Sequence, residues 1–292
     1  MALAAPQWLI QEVRRAKMRQ DRQAGAHTSD LLANLRLSTV CDEARCPNRG
    51  ECFSHQTATF LILGKVCTRG CAFCAVDSGR PPQPPDPDEP LRLAQAVKAL
   101  RLRHVVVTSV TRDDLQDGGA GHYAGVVSVL RQECQGITIE CLTPDFEGSP
   151  QALATLLASP PDILAHNIET VPRLYATVRC GAEYSRSLAI IKRVKDLHPG
   201  MITKSGIMLG LGEERREVEE VLQDLSHARC DILTMGQYLA PSLHHVPVAR
   251  YVEQEEFALW QKVALSIGFK SVASGPLVRS SYKAHLYFRN IP

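Results

Sequence analysis

A chain of 292 residues, 45% of them hydrophobic, suits one large domain or two small ones and can build a sizeable core. Lys and Arg (33) nearly balance Asp and Glu (31), so there is no broad cationic field of the kind that binds nucleic acid. No apolar run approaches the length of a membrane-spanning helix, which argues against a place in the bilayer.

The N-terminus, MALAAPQWLIQEVRRAKMRQ, has a short apolar start broken at Pro6 and Gln7, with its basic residues placed after it. That is the reverse of a secretory signal. Arg14, Arg15, Arg19 and Arg22 hint at an organelle transit peptide, but Glu12, Asp21 and the lack of any serine before Ser29 speak against one. The expectation is a cytoplasmic protein with a partly helical N-terminal extension.

Six of the ten cysteines fall in two triplets. In a reducing compartment clustered thiols serve as metal ligands rather than disulfides. The first triplet, in CDEARCPNRGEC, is Cys41, Cys46 and Cys52; the second, in CTRGCAFC, is Cys67, Cys71 and Cys74. Zinc sites and cubane iron–sulfur clusters usually take four protein ligands, so each triplet lacks one. Read alone, the first triplet fits zinc with a histidine such as His55, or an iron–sulfur cluster; its spacing matches no common ferredoxin pattern. Cys134, Cys141, Cys180 and Cys230 are scattered and read as small buried residues.

The stretch SGRPPQPPDPDEP (78–90) has six prolines in thirteen residues and is expected to be a stiff surface loop. Around it, short apolar runs at 57–64, 103–110, 137–143, 162–168, 202–210, 231–239 and 270–275 read as strands. Helical spacing separates most of them: Leu91, Ala94, Val97 and Leu100 in 88–101; Val218, Val221, Leu222 and Leu225 in 213–229; Phe257, Trp260, Val263 and Ala264 in 253–267. Strands buried on both faces and alternating with helices imply parallel βαβ units. About six such units fit an α/β fold of the (β/α)6 partial-barrel type, with an open doubly wound sheet as the alternative. In such barrels the strands' C-terminal ends carry the site. The polar segments TSVTRDD, TPDFE, HNIET, LGLGEE and GQYLAPS follow those strands; polar strand ends can simply meet solvent, but five in register are expected to line one cavity. His166 reads as a pocket residue, whereas His244 and His245 read as surface or carrier-contact residues.

The C-x3-C-x2-C spacing directly after the first long strand resembles the radical S-adenosylmethionine (SAM) superfamily. Within it, CPNRGECFSHQTATFLILGKVCTRGCAFC, TSVTRDDLQDGGAGHY, HNIETVPRLY, DILTMGQYLAPS and SGPLVRSSY resemble the lipoyl synthase family over about residues 35–286. Both triplets in order and the late RSSY distinguish that family from other radical SAM enzymes.

The resemblance implies two [4Fe–4S] clusters. Cys67, Cys71 and Cys74 hold one, whose open iron is chelated by SAM. Cys41, Cys46 and Cys52 hold an auxiliary cluster whose fourth ligand comes from Arg279, Ser280, Ser281 and Tyr282, assigned to Ser281 with Ser280 as alternate. Arg279 and Ser281 are the implied catalytic residues. A serine oxygen binds iron less well than thiolate and can be released, which suits a cluster consumed as a sulfur source. Without the resemblance the two serines read as an ordinary loop or helix cap. Thr108, Ser109 and Asp113 fall where superfamily members bind the methionine end of SAM; Asn167 and Glu169 are candidates for its ribose or methionine. MLGLGE is a candidate to pass near the adenine.

The implied domains are 1–56, an N-terminal extension with the auxiliary cysteines; 57–268, the barrel; and 269–292, a C-terminal extension with the serine ligand. The implied reaction inserts sulfur at C6 and C8 of an octanoyl chain, using two SAM per lipoyl group. Implied partners are an octanoylated lipoyl carrier domain (a 2-oxoacid dehydrogenase E2 or the glycine cleavage H protein), an electron donor such as ferredoxin or flavodoxin, and an iron–sulfur carrier for cluster repair. No nucleic acid or membrane partner is expected. The alternatives are another sulfur-inserting radical SAM enzyme, related to biotin synthase or the methylthiotransferases, and a non-catalytic iron–sulfur electron carrier. Cys180, where relatives are expected to carry proline, and CFSHQTATF depart from the family pattern without touching an implied ligand.

Overall fold

The computed structural model describes residues 3–18 and 21–289. Among the described residues are eight strands: β1 Ser38–Thr39, β2 Thr59–Ile62, β3 His104–Ser109, β4 Thr138–Leu142, β5 Ile163–Ala165, β6 Ile202–Leu209, β7 Ile232–Gln237 and β8 Ser271–Gly275. Strand order follows chain order throughout. The seven apolar runs of the sequence correspond to β2–β8, and the α/β class with a mostly parallel sheet is as expected. Only β1 is new, and it pairs antiparallel with β2. Among the described residues no helix is long and apolar enough to cross a membrane.

The chain divides into two compact units. One comprises residues 14–70 and 75–163. Here β2, β3 and β4 pair in parallel. The Val105–Val107 run of β3 is buried throughout, as expected of β-branched residues in a strand covered on both faces. The helix Glu89–Ala99 begins in the proline-rich segment, with Pro90 in its first turn where a missing N–H costs nothing. It buries Leu93, Ala94, Ala96 and Val97, whereas Leu91, expected on that face, is exposed. In the N-terminal extension, the helix Arg22–Asn34 is capped by the Asp21 carboxylate accepting from the Gln23 and Ala24 N–H groups.

The other unit comprises residues 1–13, 71–74 and 164–292. In it β6, β7 and β8 pair in parallel. Its core joins Ile207, Leu209, Leu233 and Met235 of the strands to Val221, Leu225, Phe257 and Trp260 of the helices Arg215–His227 and Gln254–Ile267. The predicted helix faces are thus the buried ones, since residues three and four apart stack on one side. Cys134, Cys141 and Cys230 are buried as expected; Cys180 is exposed, because it falls in the turn after the short helix Tyr175–Val178.

Candidate iron–sulfur and SAM site

The second triplet is shared out: Cys67 belongs to the first unit described, Cys71 and Cys74 to the other. Around Cys67 the loop is fixed by the backbone. Its N–H donates to the Asp77 carbonyl at 2.8 Å and its carbonyl accepts from Gly79 N–H at 2.8 Å. Its Sγ accepts backbone N–H groups from Arg69 at 3.4 Å and Thr111 at 3.3 Å. N–H donors to a ligand sulfur are among the contacts that tune a bound iron–sulfur cluster, so this sulfur suits iron.

The chain enters this loop through Leu63, whose φ of 68° is left-handed. Its N–H donates to Glu89 at 3.1 Å and its carbonyl accepts from Arg112 at 3.0 Å, so buried side chains grip both of its backbone groups. His122 holds the other side of this arrangement, with Nε2 at 2.7 Å from the Glu89 carboxylate.

Beyond Cys67, Arg69 is clamped. Its guanidinium reaches Asp113 through two bonds of 2.8 Å and Asp145 at 2.7 Å. Burial pulls its pKa down, but the hydrogen bonds it donates to the Asp113 and Asp145 carboxylates override that and hold it above the usual arginine value. Asp113 also accepts from the Thr68 hydroxyl at 3.1 Å. Asp113, expected near SAM, is therefore engaged with the cysteine loop itself; Arg69 is not singled out by the sequence, and Asp145 only as part of the TPDFE segment. Thr108 is buried and donates to the Leu142 carbonyl at 3.0 Å; the Ser109 hydroxyl is buried without a hydrogen-bond partner among the described residues.

Cys41 lies on the short helix Val40–Glu43 and Cys52 on Arg49–Ser54, with Cys46 in the segment between them. Cys46 N–H donates to the Cys41 carbonyl at 3.1 Å. Burial pushes the Cys41 thiol up to about 11, with Cys46 adding to the rise. Cys52 goes to about 12, through burial first and then Cys41 and Cys46. Each of these two thiols is thus within electrostatic reach of the other cysteines of the triplet. Thiols so buried and crowded stay protonated until a cation arrives, and iron is such a cation. His55, the ligand of the zinc reading, sets Nδ1 on the Glu51 carbonyl at 2.7 Å. Among the described residues no three His, Cys, Asp or Glu side chains are gathered for a single metal ion.

In the second unit, Asn167 and Glu169 follow β5. The Asn167 amide donates to Glu169 at 2.9 Å and to the Ser280 hydroxyl at 3.4 Å. Burial raises the Glu169 pKa, against the pull of Arg179, Asn167 and Arg279. Asn167, Glu169, Arg279 and Ser280 therefore form one group. Ser281 is half-buried, and no side-chain partner for it is found among the described residues. His166, expected to be a pocket residue, is fully buried, with Nε2 at 3.4 Å from Arg179. In MLGLGE, Glu213 turns back on its own loop and accepts from Gly210 and Leu211 N–H groups at 2.6 and 2.9 Å.

The segment bearing these serines rests on Gly236. A Cβ there would meet the Val278 carbonyl oxygen at 2.2 Å. Backbone cannot yield as a flexible side chain can, so Gly236→Ala is expected to cost about 1–3 kcal/mol. The denaturant midpoint should fall accordingly; an unchanged midpoint would show that residues 276–282 are not seated on β7.

This architecture and cysteine loop define a radical SAM protein, and the Radical SAM superfamily model matches residues 61–225. Among solved structures, HydG, a maturase of the [FeFe]-hydrogenase, superimposes with a TM-score of 0.60 at 12% identity, covering 98% of this chain and 70% of that one, a likeness of fold alone. Lipoyl synthase of Caldanaerobacter subterraneus subsp. tengcongensis is 52% identical over 284 residues, 97% of each chain. That of Trichlorobacter lovleyi is 55% identical over 282 residues, 97% of this chain and 98% of its own. The chain belongs to the lipoyl synthase family of radical SAM enzymes, with [4Fe–4S] clusters and SAM as its cofactors.

Proposed function

We propose that the chain is the sulfurtransferase that inserts two sulfur atoms at C6 and C8 of an octanoyl group carried on a lysine of a lipoyl carrier domain. The observation that carries this reading is the presence of two separate sets of free thiols, one with Cys41 buried and Cys46 and Cys52 partly buried, the other including Cys67, whose sulfur accepts N–H groups from Arg69 and Thr111. One cluster for SAM cleavage and one as sulfur store need two such sets.

Saturated carbons resist any side-chain acid or base, so the bound clusters and SAM supply one-electron hydrogen abstraction and the sulfur itself. The protein's own part is to hold and exclude water. Cys67, Cys71 and Cys74 would hold the SAM cluster, and Cys41, Cys46 and Cys52 the auxiliary one. Asp113 and Asp145 fix Arg69 and hence the loop around Cys67. Asn167 and Glu169 present a polar group suited to SAM. Ser280 is occupied by Asn167, which supports Ser281 as the releasable fourth ligand. The carrier is an E2 or H protein, the electrons come from ferredoxin or flavodoxin, and an iron–sulfur carrier restores the cluster.

The test is the mass of an octanoylated carrier peptide after anaerobic incubation with SAM and reductant. A gain of two sulfurs is expected. With Ser281→Ala the doubly sulfurated product should fall about tenfold or more, as for loss of a metal-site contact, while deoxyadenosine release stays within about twofold. Undiminished product would remove Ser281 from the ligand set.

A further inference from the structure

We infer that His245 is a positioning residue that fixes the Cys74 end of the cysteine loop. This rests on the reading of Cys74 as a cluster ligand. Within their unit, residues 71–74 are bound like a short strand between two segments. Ala72 N–H donates to the Val178 carbonyl at 2.9 Å, and Val246 N–H donates to the Ala72 carbonyl at 3.0 Å. Phe73 packs against the small core of Val178, Leu211 and Tyr238, with Val246 beside it. These contacts hold the middle of the segment, and Cys74 N–H donates to the Cys71 carbonyl at 3.0 Å, but none of them holds the Cys74 carbonyl.

His245 does. Its Nε2 lies 3.0 Å from the Cys74 carbonyl oxygen and its Nδ1 lies 2.8 Å from the Ser242 hydroxyl. A carbonyl only accepts, so Nε2 carries the hydrogen. In the neutral ring Nδ1 then accepts from the Ser242 hydroxyl, which fixes the tautomer and the ring plane. Ser242 is itself held, its oxygen accepting from His244 N–H at 3.2 Å. The Tyr238 hydroxyl donates to the Val246 carbonyl at 2.7 Å and anchors the same loop from the other side. His245 is half-buried while its neighbour His244 is exposed, so the two adjacent histidines divide between inside and outside. The expectation of a surface or carrier-contact role fits His244 alone. Fixing the carbonyl of Cys74 fixes the peptide plane from which its Cβ departs, and so the direction of its thiol.

The variants that test this are His245→Leu and His245→Gln. A glutamine amide can put an N–H near the place of Nε2; leucine cannot. Hydrogen exchange of the backbone amides of residues 71–74 and of Val246 is followed in the cluster-free chain, and deoxyadenosine release in the reconstituted enzyme. With leucine, exchange at those amides should quicken about tenfold, the loss of one net hydrogen bond, and deoxyadenosine release should fall. Glutamine should restore most of both. Wild-type exchange in the leucine variant, or glutamine no better than leucine, would overturn the inference. Faster exchange with undiminished deoxyadenosine release would also overturn it, provided Cys71→Ala abolishes that release. If Cys71→Ala leaves release intact, it is the cluster assignment that fails, and the exchange data still decide whether His245 holds Cys74.

Discussion

Cys71→Ala is expected to abolish formation of 5′-deoxyadenosine from SAM under reducing conditions. Partners that merely orient a metal ligand typically cost 10–100-fold when removed, so loss of a ligand itself should exceed about a hundredfold. A tripod of cysteines that leaves one iron for SAM has no spare member. The backbone around Cys71 gives no substitute: Cys71's carbonyl accepts from Cys74 N–H at 3.0 Å, and Phe73 between them is turned into apolar packing. Cys134→Ala is the control. That thiol is buried with Sγ 3.6 Å from the Ala94 carbonyl, away from either triplet in the sequence, and its loss should lower stability slightly and spare SAM cleavage. Deoxyadenosine release above about a tenth of wild type in Cys71→Ala would move the SAM cluster elsewhere.

The strands were legible because each is a short apolar run buried on both faces, a pattern that survives without any tertiary knowledge. β1 was not, since two residues have no period. The face of Glu89–Ala99 was misjudged by one position at Leu91, because the helix buries an adjacent stripe through Leu93 and Ala96. In the site, residue types and spacing announce metal chemistry, whereas the supports do not. Arg69 stands between two cysteines as an ordinary spacer residue, and its partners Asp113 and Asp145 lie 44 and 76 positions away. Only the parallel pairing of β2 with β3 and of β3 with β4 gathers the loops that follow them at one edge. His245 was hidden for the same reason: its partner, Cys74, lies 171 positions earlier.

Arg69→Met should be among the most destabilising single changes in the chain. The Arg69 side chain is 8% exposed, Asp113 is 25% exposed and Asp145 is fully buried. Methionine fills much of the same space but strands the Asp145 carboxylate without its cation. Removing one member of a buried ion pair costs about 3–5 kcal/mol, against about 0–1 for a surface pair. The denaturant midpoint distinguishes these cases if the m-value is unchanged. Arg69→Lys keeps the charge but not the planar fork that serves two carboxylates at once, so it should fall between wild type and methionine. If stranded charge is the cause, Arg69→Met should cost markedly less in an Asp145→Asn background, because a neutral amide needs no cation. Equal costs in both backgrounds would assign the effect to packing instead. Iron retention should follow stability in this series. Arg69 N–H and Thr111 N–H both donate to the Cys67 sulfur, and Arg69 joins Asp113, two residues beyond Thr111, back to that same loop. Loosening the clamp therefore frees both donors together, so Arg69→Met should release iron to a chelator faster than wild type even at denaturant concentrations where both remain folded.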